Sequence, residues 1–189
     1  MSDQGFPTVD RIAAAIIPIL ETPRLILRGH RREDFAASAA MWGDPAVGRH
    51  ISGRASTAEE SWARLLRYPG LWTYLGFGYW VVEEKASGRF VGEVGLADFK
   101  REIKPALGES AEMGWVLAPW SHGNGYASEA VTAALGWADI NISSLPIVCI
   151  VAPENRASVR VAEKAGFKLY AEGSYKGGST LFFRRERGA

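Results

Sequence analysis

Residues 111–117 alternate in side-chain character as a strand does, and Pro119 halts them. Gly123 and Gly125 follow, and apolar residues then recur at Ala127, Ala130, Val131, Ala134, Leu135 and Ala138. Those positions share one helical face. A strand, a glycine turn and a helix in immediate succession commit the chain to a mixed α/β architecture. They also set the first turn of a helix, whose N–H groups lack internal partners, beside residues with no Cβ. With the dipole adding about half a positive charge, this main chain reads as a pyrophosphate cradle. An ordinary turn using glycine for its φ angles fits the two glycines equally well.

The flanking sequence extends the α/β pattern without repeats. Residues 24–28 predict a first strand, and residues 32–42 an alanine-rich helix stopped at Gly43-Asp44-Pro45. Thr57-Ala-Glu-Glu60 is a capping box. The helix it opens carries Trp62, Leu65 and Leu66 on one face and is expected to end at Pro69-Gly70. Residues 78–84 and 89–99 predict a hairpin, and residues 100–109 an exposed loop. The β-branched run 147–151 predicts a strand buried on both faces. Asn155 caps a short helix terminated by Gly166, and residues 168–172 and 180–184 form a closing hairpin.

Composition excludes several classes of function. Twenty-two Lys and Arg against 21 Asp and Glu give a net charge of +1, too balanced for a general nucleic-acid binder. One cysteine excludes an internal disulfide, and three histidines without a paired spacing argue against a metal centre. No apolar run approaches the roughly 18 to 20 residues that cross a bilayer. The best stretch, residues 12–20, contains Pro18 and lacks the flanks of a signal peptide. A cytoplasmic protein with an N-terminal arm over residues 1–20 and a single domain over 21–189 is therefore expected. No Gly-Lys-Ser/Thr ending exists for a nucleotide P-loop, and Ser128 stands where a dinucleotide fingerprint needs Gly or Ala.

His122-Gly-Asn-Gly-Tyr-Ala127 resembles the Arg/Gln-x-x-Gly-x-Gly/Ala signature of the GNAT N-acetyltransferases, and its surroundings resemble the RimJ/RimL-like branch. Thr22-Pro-Arg-Leu-Ile-Leu-Arg28, Glu112-Met-Gly-Trp115, Asn155-Arg-Ala-Ser158 and Glu163-Lys-Ala-Gly-Phe167 fall in the matching order. The resemblance implies a mixed, mostly antiparallel sheet of about seven strands with flanking helices, splayed between strands 4 and 5. It also implies transfer of an acetyl group from acetyl-CoA, without a metal, to an amine that attacks directly in a ternary complex. The pantetheine would pair with main-chain groups of Trp115, Val116 and Leu117. The pyrophosphate would sit on the amides of Gly123, Asn124, Gly125, Tyr126, Ala127 and Ser128. His122 departs from the usual Arg or Gln, and its charge varies with pH.

Asn155 and Ser158 are implied to meet the thiol-bearing arm. The Tyr that usually protonates the thiolate is replaced by Ala162, which leaves Ser158, and less directly Tyr170, as proton donors. Glu112 is the candidate base, because an ammonium of pKa near 10 must lose a proton before attack. Glu93 and Glu109 are alternatives, and a strand-end carboxylate paired to Lys or Arg is the plain reading of Glu112. Trp42, Trp72 and Trp80 could line the acceptor pocket, and Cys149 reads as core. The acceptor is a small molecule or a protein N-terminus, with no nucleic-acid or membrane partner and a monomer or homodimer. A CoA-binding regulatory module with weak catalysis is the rival class.

Overall fold

The computed structural model describes residues 17–142 and 144–186. Its strands are β1 (Leu20–Glu21), β2 (Leu25–Arg28), β3 (Tyr79–Glu84), β4 (Phe90–Ala97), β5 (Ala111–Leu117), β6 (Ile147–Val151), β7 (Phe167–Tyr175) and β8 (Gly178–Arg185). Its helices are α1 (Phe35–Trp42), α2 (Pro45–Gly48), α3 (Ala58–Leu75), α4 (Tyr126–Asn141) and α5 (Arg156–Lys164). The strands form one sheet in the order β1-β2-β3-β4-β5-β6-β8-β7. Every neighbouring pair is antiparallel except β5–β6.

The sheet has eight strands rather than about seven, because Leu20 and Glu21 pair with Leu27 and Ile26. Ile17 is buried as well, so the described end of the expected arm belongs to the fold. Residues 1–16, including most of the apolar stretch 12–20, lie outside the described residues. The added β1 makes the parting strands β5 and β6, which are the fourth and fifth of the sequence reading.

Helix α3 opens on the predicted box: Glu60 N donates to Thr57 Oγ1 at 3.2 Å, and Thr57 N donates to Glu60 Oε2 at 2.8 Å. It does not stop at Pro69-Gly70 but runs on to Leu75, where Gly76 takes φ 74°. Its buried positions are Ser61, Leu65, Tyr68 and Trp72, whereas Leu66 is 56% exposed, which corrects the predicted face. Burying a large side chain stabilises by about 1.5–3 kcal/mol. Tyr68 and Trp72 together thus offset the roughly 3 kcal/mol cost of an interior proline.

The two faces of the sheet differ in kind. One face carries Trp80, Val82, Val94, Leu96 and Met113 against Ala130, Val131, Ala134 and Ala138 of α4, an apolar core. The opposite face, under α1 and α3, holds Glu93 at zero exposure. Ser38 Oγ (2.7 Å), Trp42 Nε1 (2.9 Å) and Tyr68 Oη (2.6 Å) all donate to its carboxylate. The His30 ring stacks on Tyr68 and sets Nε2 3.6 Å from Glu93 Oε1. Burial acts to raise this carboxyl, but the facing imidazole and the Tyr68 and Ser38 hydroxyls outweigh it and hold the pKa at about 2.

Glu93→Ala strands three buried donors and is expected to cost about 3–5 kcal/mol in urea unfolding. A native pKa depressed to about 2 contributes stability above the unfolded value, near 4.3, that is lost as pH falls through the native value. Parent stability should therefore drop between those limits, and Glu93→Gln should flatten that part of the profile.

Candidate active site

Between β5 and α4 the chain makes a one-turn 3-10 helix, Pro119–Ser121, tied to β4 by Ala118 N donating to Val91 O at 2.8 Å. Gly123 and Gly125 then adopt φ of 80° and 78°, a region in which a Cβ is strained. Among the described residues, nothing accepts from the amides of residues 123 to 128. The first amide of α4 to find a partner is that of Glu129, donating to Gly125 O at 3.1 Å. A helix start of this kind suits an anion, and among the described residues no protein group accepts from its amides.

A brace from the turn between β1 and β2 fixes this loop. Thr22 Oγ1 donates to Glu129 Oε1 at 2.6 Å and Arg24 Nε to Glu129 Oε2 at 2.7 Å. Arg24 Nη1 also donates to Asn124 O at 2.9 Å, and the guanidinium lies over the Tyr126 ring. The Tyr126 hydroxyl donates to Glu84. Partial burial acts to raise the Glu129 carboxyl, but Thr22 and Arg24 outweigh it and hold the group below the ordinary carboxylate range. This gives the Thr22-Pro-Arg24 segment a physical role. His122 faces the other way, its Nε2 2.9 Å from Leu117 O at the end of β5.

The strands part where the sequence reading placed the cleft. β5 and β6 pair only at Ala111↔Ile147 and Glu112↔Val148. Beyond them β5 stays paired with β4 alone, and a Cβ on Gly92 would meet Val116 O at 2.2 Å. From Met113 to Leu117, β5 thus has no strand on its β6 side, and Gly114, Trp115 and Val116 are half-buried. Across the gap, Trp115 Nε1 donates to Ser158 Oγ at 3.3 Å, and Ser158 N donates to the Asn155 side chain at 3.1 Å.

Glu112 is buried, and both of its oxygens are engaged. Arg101 Nε donates to Oε2 at 2.6 Å and Arg101 Nη2 to Oε1 at 2.8 Å, while Arg101 Nη1 donates to Tyr175 Oη at 2.8 Å. Burial acts against the guanidinium charge, yet Glu112 and Tyr175 raise the Arg101 pKa. Tyr79, on the same face, brings its hydroxyl against Gly114, where a Cβ would lie 2.1 Å from it. Burial first, and then the Glu112 charge, push this phenol up. Arg101 and Tyr79 were not among the sequence candidates. Arg101 lies in a loop without periodicity, whereas Gly114, in the middle of a strand, was a legible sign of close approach.

Other expectations sort differently. Trp72 and Trp80 are core, packed edge-on to each other and to Trp137, and so cannot line an acceptor pocket. Trp42 is buried against Glu93, and Arg64 covers its ring. Ala162 is the wholly buried residue of α5 itself, and Tyr170 lies on edge strand β7 under Arg184. Glu109 is exposed. Cys149 is buried core, its thiol pushed up by burial and then by the Glu112 charge. Among the described residues, no cluster of three or more His, Cys, Asp or Glu could hold a metal, and no helix is long and apolar enough to cross a membrane.

Residues 24–168 match the family model of the acetyltransferase (GNAT) domain. The chain is 34% identical over 91 residues to the uncharacterized protein YkkB of Bacillus subtilis (strain 168), a match covering 48% of this chain and 51% of that one. The chain thus spans about half the length of that curated relative. An acetyltransferase from Agrobacterium tumefaciens str. C58 superposes with a TM-score of 0.77 at 27% identity, covering 90% of this chain and 95% of that one. A RimL ribosomal L7/L12 alpha-N-protein acetyltransferase in complex with coenzyme A shares the fold at 17% identity, with a TM-score of 0.72 over 89% and 97% of the chains. The chain belongs to the GNAT acetyltransferase family, in which an acetyl group passes from acetyl-CoA to an amine.

Removing the brace tests the loop. Arg24→Ala is expected to weaken CoA binding about tenfold, roughly 1.4 kcal/mol, in calorimetric titration. Unchanged affinity would mean that the loop holds its shape unaided.

Proposed function

We propose that the chain acetylates a primary amine by direct attack in a ternary complex, with Glu112 as the general base and Ser158 as the proton donor. The single observation that carries this reading is the run of unpartnered amides at residues 123 to 128, set beside the free edge of β5. These features fit acetyl-CoA: the amides would hold its pyrophosphate, and main-chain groups of Trp115, Val116 and Leu117 would hold its pantetheine amides. His122 already engages Leu117 O, so on this reading it orders the strand end rather than the phosphate. Acetyl-CoA supplies a thioester whose carbonyl carbon the amine attacks and whose sulfur leaves as a thiolate.

The chain's residues then handle protons and position. Glu112 takes the proton that the ammonium must lose. The Oγ of Ser158 accepts from the Trp115 indole, so its own O–H is turned elsewhere and can donate to the leaving sulfur. That role compensates for Ala162. Holding both reactants in one cleft removes much of the entropy cost of encounter.

The Arg101 pair on Glu112 gives the regulatory-module reading a specific observation in its favour, because both carboxylate oxygens are occupied. Thiol release from acetyl-CoA across an amine panel separates the two. Acetylation predicts that Glu112→Gln lowers kcat about 10²- to 10⁴-fold near neutral pH. Part of that loss should return toward pH 10, where the amine deprotonates unaided. Ser158→Ala should lower kcat with little change in KM for acetyl-CoA. CoA binding without thiol release from any amine would favour the module.

A further inference from the structure

A cavity of about 260 Å³ opens beside Glu112 and is lined by Phe99, Lys100, Arg101, Leu107, Ser110 and Glu112 among others. It is smaller than the ~300–1,000 Å³ of a drug-sized site and suits one amino-acid-sized group. Its two carboxylates are both neutralised from within its own wall: Glu112 by Arg101, and Asp98 by Lys100 at 2.6 Å. Its cations still hold spare protons. Arg101 has five N–H donors, of which three are used, two on Glu112 and one on Tyr175. The Phe99 ring is covered by Arg101 at 4.6 Å and Arg67 at 5.1 Å. The wall beside the candidate base thus offers cations with donors to spare, while each of its carboxylates is already paired with a cation.

We propose that Arg101 is an acceptor-reading positioning residue, a latch that leaves Glu112 when the acceptor carries a carboxylate close to its amine. This deepens the acetyltransferase reading and rests on it. In the closed state, each Glu112 oxygen is committed to Arg101. A substrate carboxylate offers Arg101 an equivalent bidentate partner, and the exchange frees a Glu112 oxygen for the neighbouring ammonium. One proton then passes from that nitrogen to the oxygen, and no other bond changes in this step. A diamine brings a second cation toward Lys100 and Arg101 instead and cannot release the latch. The acceptor chemistry is therefore an amine with a nearby anion, in a free α-amino acid or at an acidic peptide N-terminus.

Matched acceptors test this by thiol release: L-alanine against L-alaninamide, and a short peptide beginning with Asp against the same peptide beginning with Asn. The parent should favour the carboxylate member of at least one pair by about tenfold or more in kcat/KM, and the favoured pair identifies the source. Arg101→Gln should abolish that preference by raising KM for the carboxylate member far more than for the amide member. Tyr175→Phe, which loosens Arg101 without removing it, should give a smaller change in the same direction. Independently of turnover, calorimetric titration of the favoured acceptor into the CoA-bound protein should show binding weakened in Arg101→Gln. Equal use of both members of both pairs by the parent overturns the latch, and so does an equal loss for both members in Arg101→Gln. Both results leave acetylation standing. CoA binding with no thiol release from any amine overturns the acetyltransferase reading itself.

Discussion

Strands β5 and β6 hydrogen-bond over two residue pairs and then part, and the rest of the site depends on that separation. A strand deprived of a neighbour keeps main-chain donors and acceptors that something must satisfy. On the other side β5 stays paired with β4, where Gly92 has no Cβ to meet the Val116 carbonyl at 2.2 Å. The end of β5 runs on through Pro119–Ser121 into the turn that opens α4. The free strand edge and the free helix amides thus follow one another along residues 113–128. Arg24 and Thr22 hold the second to the sheet through Glu129.

Two buried carboxylates on the same face have opposite characters. Glu93 is locked by hydroxyl and indole donors from α1 and α3, with His30 facing it, and its partners all belong to the packed interior. Such a network specifies how the helices sit on the sheet. Glu112 is held by one arginine from a loop, at the edge of a cavity. Exchanging that partner requires no helix to move. Burial alone does not distinguish the two carboxylates; the origin of their donors does.

Much of the fold was legible because its signals are local. The period of residues 127–138 marked the α4 face, and the Thr57 capping box marked the start of α3. The failures were those of competition between local and distant terms. Pro69 is a breaker, but Tyr68 and Trp72 bury enough surface to carry α3 through it. Trp72 and Trp80 have the size and amphipathic character of pocket residues, yet they meet Trp137 in the core. Nothing in a single tryptophan's neighbours along the chain distinguishes those fates.

By itself, the sequence determined the strand–glycine–helix unit, most of the element order and the glycine turn at residues 123–125. Each of these rests on periodicity, capping or backbone freedom within a few residues. Tertiary structure alone decided that β5 leaves β6, that Glu129 serves Arg24 and Thr22, and that Arg101 covers Glu112. Those pairings join groups 11 to 107 residues apart, and a charge at such a distance has no sequence signature of its partner. Only the packed sheet fixes which of many possible carboxylates an arginine meets.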